Sequence, residues 1–165
     1  MRYELHGIIS RPEVLDPIVE ACRHARPVLL DGAELAMVPL CDEVYRTINL
    51  PGFQVDPENG FDRLSSGVAA LITAASRRGA IAYLEADYDG GASRQVAAVW
   101  LDCQIVYGPN MLVPGEGIPT DGTSPFCEAL RYLGVQAVGR VDEVVVLGLG
   151  RYNRTEAWCA AGTRA

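Results

Sequence analysis

Glu85, Asp87 and Asp89 alternate in the stretch Glu85-Ala86-Asp87-Tyr88-Asp89-Gly90-Gly91, so on an extended strand the first two share a face and the third enters a turn. Oxygen donors grouped this way suit a hard cation, and a carboxylate pair can also work as general acid and base. The stretch lacks the further acid and the closing glutamate of a calcium loop, and it reads as the charged end of a hairpin. The two histidines, His6 and His24, do not make a zinc set with Cys22, because positions two apart on a helix point to different sides. Gly-x-Ser-x-Gly is absent, and Ser65-Ser66-Gly67 lies in a helical stretch where serines usually face solvent or a neighbouring helix. Gly148-Leu149-Gly150 lacks the third glycine of a dinucleotide loop, and Gly115-Glu116-Gly117 puts a carboxylate where a phosphate would be repelled. The sequence therefore assigns no catalytic residue, no metal and no cofactor.

The charged residues exclude more. All 14 basic residues are arginine, so chemistry that needs a lysine is absent: the phosphate-binding lysine of nucleotide loops and the Schiff-base lysine of pyridoxal enzymes and aldolases. Against them stand 21 acids, giving a net charge of −7. Scattered arginines on an acidic chain do not make a nucleic-acid surface, and the balance points instead to a basic protein partner. No apolar run is long enough to span a bilayer, and Met1 to His6 lacks the apolar core of a signal peptide, so a cytoplasmic protein is expected. Five widely spaced cysteines without a Cys-x-x-Cys pair suggest free thiols in a reducing compartment. Arginine without lysine, beside abundant Ala, Gly and Val, fits GC-rich bacterial coding.

The elements that must position these residues are legible from periodicity. Residues 2 to 9 read as a strand, and Asp16-Pro17 is favoured over Ser10 as the start of the following helix. Short strands follow at 28 to 30 and 35 to 38, and a helix at 40 to 48. Leu64, Val68, Leu71, Ile72 and Ala75 mark a helix over 62 to 78, ended at Gly79. The period then changes to two, predicting a three-stranded meander over 80 to 107 with turns at 89 to 92 and at Asp102-Cys103. A long Gly- and Pro-rich loop occupies 108 to 123, Ser124-Pro125 opens a helix, and 135 to 138 and 143 to 149 read as closing strands. This is an α+β domain over 1–150, a mixed and mostly antiparallel sheet packed by about four helices, with a tail over 151–165 docked in part through Tyr152 and Trp158.

Writing out the meander pairs Asp87 with Arg94, Glu85 with Val96, Tyr83 with Ala98, Ile81 with Trp100, Trp100 with Ile105 and Ala98 with Tyr107. One face is then small and aliphatic (Ala82, Leu84, Ala86, Ala97, Val99, Leu101, Val106) and suits the helix of 62 to 78. The other carries Tyr83, Trp100 and Tyr107 rimmed by Glu85, Asp87 and Asp89, a composition that protein interfaces favour unless a second helix layer covers it. These six residues form the expected partner-binding surface. The profile suggests a protein-binding domain, in concrete form an immunity or antitoxin-type inhibitor that occludes the active site of a cognate bacterial toxin. The alternative is a small hydrolase or transferase using Glu85, Asp87 and His6, an acidic site at the 85–89 hairpin under the 108–123 loop.

Overall fold

In the computed structural model, which describes residues 2–49, 60–89, 92–112, 115 and 117–162, the alternating segments pair into one six-stranded sheet, antiparallel throughout. Its strands are β1 (Tyr3–Ser10), β2 (Val28–Leu29), β3 (Ala36–Pro39), β4 (Ile81–Asp89), β5 (Ala92–Leu101) and β6 (Gln104–Met111). Their spatial order is β2-β3-β1-β4-β5-β6. Among the described residues six helices accompany them where about four were expected: α1 (Pro12–Ala21), α2 (Asp42–Ile48), α3 (Ser66–Ala75), α4 (Pro125–Tyr132), α5 (Glu143–Val146) and α6 (Thr155–Gly162). The α+β class holds. Residues 50–59, Gly90 and Gly91 of the expected turn at 89 to 92, three positions of the expected 108–123 loop (113, 114 and 116) and the last three residues lie outside the described residues.

The helices divide between the two faces of the sheet. α1, α2 and α3 bury Val14, Leu15, Ile18, Val44, Val68 and Ile72 against Ile8, Ile81, Tyr83, Ala98 and Trp100. On the opposite side, Phe126, Ala129, Leu130, Leu147 and Trp158 cover Leu5, Ala82, Leu84, Ala97 and Val99. The aromatic face expected to be free is thus a core layer, and α3 sits on it rather than on the aliphatic face. The reason is that α4 and α6 already occupy the aliphatic side, leaving the other as the place where α3 can bury its stripe.

The meander pairs as written over β4 and β5, from Ile81 with Trp100 to Asp87 with Arg94, and Trp100 meets Ile105. Asp102 and Cys103 both adopt positive φ, 51° and 65°, the conformation that a two-residue hairpin turn requires. Beyond them the register shifts, so Tyr107 pairs with Val99 instead of Ala98 and crosses to the aliphatic side. That shift lies between Ile105 and Tyr107, and a second lies beside Gly108, at φ 74°, where any side chain would strike the Ala97 carbonyl. β6 then runs to Met111, so the first residues of the expected 108–123 loop are strand.

Local signals explain the remaining departures. α1 begins at Pro12 rather than Asp16, behind an extended Arg11, and Pro17 lies within it. Pro17 offers no N–H to the Glu13 carbonyl, which Arg78 Nη1 approaches at 3.5 Å instead. α3 starts late because the backbone at Asp62 and Arg63 is committed elsewhere. Ser65 then caps the helix, its hydroxyl accepting from the Val68 N–H at 3.2 Å. The β-branched run Glu143 to Val146 is one helical turn and not a strand, capped by Asp142, which accepts from the Val145 N–H at 3.0 Å, and followed by Gly148 at φ 69°. Val138 makes only an isolated bridge with Val141.

The tail folds back as α6, placing Trp158 fully buried with Tyr152 edge-on at 4.9 Å between ring centroids. Burying a ring of that size stabilises the fold by about 2–3 kcal/mol. Cys159 of α6 forms a disulfide with Cys41, which precedes α2, across a Cα separation of 6.4 Å. This corrects the expectation of five free thiols: Cys22, Cys103 and Cys127 are free, and the pair 118 positions apart was hidden because spacing along the chain says nothing about proximity. Among the described residues, no helix is long and apolar enough to cross a membrane.

Candidate functional site

The fold separates the six residues expected to form one surface. Tyr83 and Glu85 are wholly buried and Trp100 is 4 % exposed, beneath the α1–α3 layer. Tyr107, on the other side, is half-buried; its hydroxyl donates to Glu128 at 2.6 Å and its ring lies 5.3 Å from Tyr132. Only Asp87 and Asp89 stay together at the surface end of β4. The error came from the assumption of an open face, since the β4–β5 register itself was correct.

Glu85 organises the interior of that end. One carboxylate oxygen, Oε1, accepts from the Arg63 N–H at 2.7 Å and the Tyr83 hydroxyl at 2.6 Å. The other, Oε2, accepts from the Asp62 N–H at 2.6 Å and Arg94 Nη2 at 2.8 Å. Four donors fill the acceptor sites of an ionised carboxylate. Burial raises the Glu85 carboxyl above its ordinary range, and the Tyr83 hydroxyl, both backbone N–H groups and Arg94 oppose that rise. Burial and the neighbouring carboxylate push the Tyr83 phenol well above its usual range, so it is a donor at neutral pH.

His6 lies directly across the β1–β4 pairing from Glu85. Its backbone N–H donates to Thr155 Oγ1 at 3.0 Å, and its ring Nδ1 is 3.3 Å from the same oxygen. Burial, then Arg63 and Arg94, push its pKa down to about 3, so the ring is neutral. His6, Asp62 and Glu85 bring a nitrogen and two carboxylate oxygens within 4.8 Å of one another, close enough to hold a cation. A metal there would have to displace a donor from Glu85 and lie beside Arg94, a fixed cation, so the cluster reads as an internal ion-pair network. The same saturation removes Glu85 as a general acid or base, since no face of the carboxylate is left for a substrate.

The surface end is different. Asp87 receives a bidentate pair from Arg2, at 3.2 and 3.0 Å, while Asp89 is exposed and enters no ion pair with a described residue. Arg94, expected to offset Asp87 across the strands, reaches inward to Glu85 and to the Gly60 carbonyl at 2.7 Å. A groove of about 310 Å³ opens beside the two aspartates, bounded by Ser93, Arg94, Met111, Leu112 and Gly115. Neither Glu85 nor His6 lines it.

Sequence reasoning missed Arg63, Asp62, Met111 and Leu112. The apolar pair Met111-Leu112 carried a signal, being strand-like residues inside a stretch read as loop. Arg63 and Asp62 carried none for their bonds to Glu85, because there they act through backbone N–H groups that every residue has. Compared with protein-family models, with curated proteins and with solved structures, the chain matches none.

Proposed function

We propose that this chain is a protein-binding domain that covers a basic surface of another protein, in its concrete form an immunity or antitoxin-type inhibitor occluding the active site of a cognate toxin. The observation that carries the reading is the groove, whose lining combines Asp87 and Asp89 with the apolar Met111 and Leu112 and a single cation, Arg94, which is engaged with Glu85. An arginine or lysine of a partner has that same division, an apolar stem and a charged head. The net charge of −7 adds long-range attraction for a basic partner and raises the rate of encounter.

The alternative of a hydrolase or transferase at residues 85–89 has no comparable support. Its central carboxylate is enclosed with its donors, and of the three side chains it requires only Asp87 borders the groove. The reading places the encounter in the cytosol; the Cys41–Cys159 bridge weighs the other way, since such bonds persist in oxidising compartments. Alkylating free thiols in intact cells of the source and counting them on the protein separates the two.

The binding test uses the products of the genes that flank the coding sequence. Each is titrated calorimetrically against the native protein and against the Asp87→Asn/Asp89→Asn variant at low and high salt. One product should bind, inhibited in its activity, with affinity about tenfold or more weaker for the variant and a shallower salt dependence. If no flanking product binds, or if the variant binds as tightly, the reading is wrong.

A further inference from the structure

β6 closes one side of the sheet with nothing paired beyond it among the described residues. The opposite edge is protected: β2 is only two residues long, and α6 packs over it, with Gly162 against Val28 and Arg26. β6 has eight residues, seven of them exposed, and includes Ile105 at 50 % and Val106 at 41 %. Exposed edges normally carry charge, proline or a bulge that blocks further pairing. Here Pro109 and the shift at Gly108 defend the second half of β6; the first half, Gln104 to Tyr107, has one register shift, between Ile105 and Tyr107, and neither a charge nor a proline.

Charge decides what can lie against it. Residues 103 to 115 contain no ionisable acid or base apart from Cys103 and Tyr107, in a chain where 35 of 165 residues are charged. A basic partner finds no carboxylate on this strand to meet. Two copies of the chain, each at −7, repel through most of their surfaces and can approach closely only through a neutral patch such as this one. An antiparallel pair of identical strands is also self-complementary by symmetry, so one edge supplies both halves of the contact.

We propose that the chain self-associates through β6, two copies pairing Gln104–Tyr107 antiparallel so that their sheets join edge to edge around a two-fold axis. Ile105 and Val106 of each copy then pack beside those of the other, and the free backbone groups of both edges are satisfied together. The contact is separate from the groove at Asp87 and Asp89.

Sedimentation equilibrium over a wide concentration range tests it with the native protein, Val106→Glu, Ile105→Lys and the Asp87→Asn/Asp89→Asn variant. The native chain and the aspartate variant should both sediment as dimers of the 17.8 kDa chain. Each β6 variant should weaken association by about tenfold or more, because a paired edge must bury or juxtapose the new charges. Circular dichroism and a thermal melt establish that each β6 variant is folded, which the exposure of both side chains favours. A monomeric native chain overturns the proposal, as does a dimer that both folded β6 variants leave intact. Loss of partner binding in the aspartate variant, with the dimer retained, would leave the two surfaces distinct.

Discussion

Tyr83 and Glu85 stand on the same side of β4, one pleat apart, and the phenol donates to the carboxylate at 2.6 Å inside a fully buried layer. That bond, with Arg94 and the backbone of Asp62 and Arg63, ties the segment before α3 to the middle of the sheet. An ion pair of this kind is not strongly stabilising in itself, because desolvation offsets much of the attraction. Removing one partner is a different matter, since the rest are left in place without their counter-charge.

Glu85→Gln should therefore destabilise the fold by about 3–5 kcal/mol, and Tyr83→Phe by about 1–3 kcal/mol. Urea unfolding of the three proteins checks the order. A Glu85→Gln variant as stable as the native protein would show that the network carries no weight in the fold.

His6 gives the acid limb of stability a specific source. The neutral ring is held down to about 3, whereas in the unfolded chain it takes its proton near 6.5. In that interval the unfolded state binds the extra proton, so the contribution is complete above 6.5 and is lost as pH falls toward 3, by up to about 1.4 kcal/mol per pH unit. Glu85, facing it, shifts in the opposite sense, its raised carboxyl favouring the fold at low pH. The His6 part is isolated by comparison with His6→Gln. The stability advantage of the native protein over that variant should shrink by about 3 kcal/mol between pH 7 and pH 4. Parallel pH profiles for the two proteins would refute the assignment.

The Cys41–Cys159 bridge closes a loop of 118 positions and fixes α6, whose Thr155 and Glu156 also hold His6 and Asp42 through their backbone N–H groups. Replacing both cysteines by serine, or reducing the bond, should lower stability by about 2–5 kcal/mol. Thiol titration under denaturing conditions should find three reactive sulfurs before reduction and five after it. Five before reduction would show that the bridge does not form in solution.

Local pattern was enough for several parts of the fold. The change from helical to alternating period located β4 and β5, the turn placed at 89 to 92 set the register from Ile81 with Trp100 to Asp87 with Arg94, and the turn at Asp102-Cys103 set Trp100 with Ile105. A strand's side chains alternate strictly, so once the turn is placed the faces follow. The helix at Ser124-Pro125 was equally local, fixed by its cap, with Ser124 accepting from the Cys127 N–H at 3.2 Å. The strand reading of Glu143 to Leu149 failed for the converse reason: a valine run has strand propensity, and a single cap with the packing of Leu147 and Leu149 overrode it.

What the amino-acid order determined by itself was therefore the class of the fold, the hairpin register, the charge and the chemistry that a chain without lysine cannot perform. Tertiary structure alone decided which sheet face each helix covers, that Glu85 points into a ring of donors while Asp87 and Asp89 stay in water, and that Cys41 meets Cys159. The physical reason is common to all three. Alternation says that two side chains share a face, but whether that face is core or surface depends on helices from distant parts of the chain, and the pairing of buried charges and thiols depends on the same long-range packing.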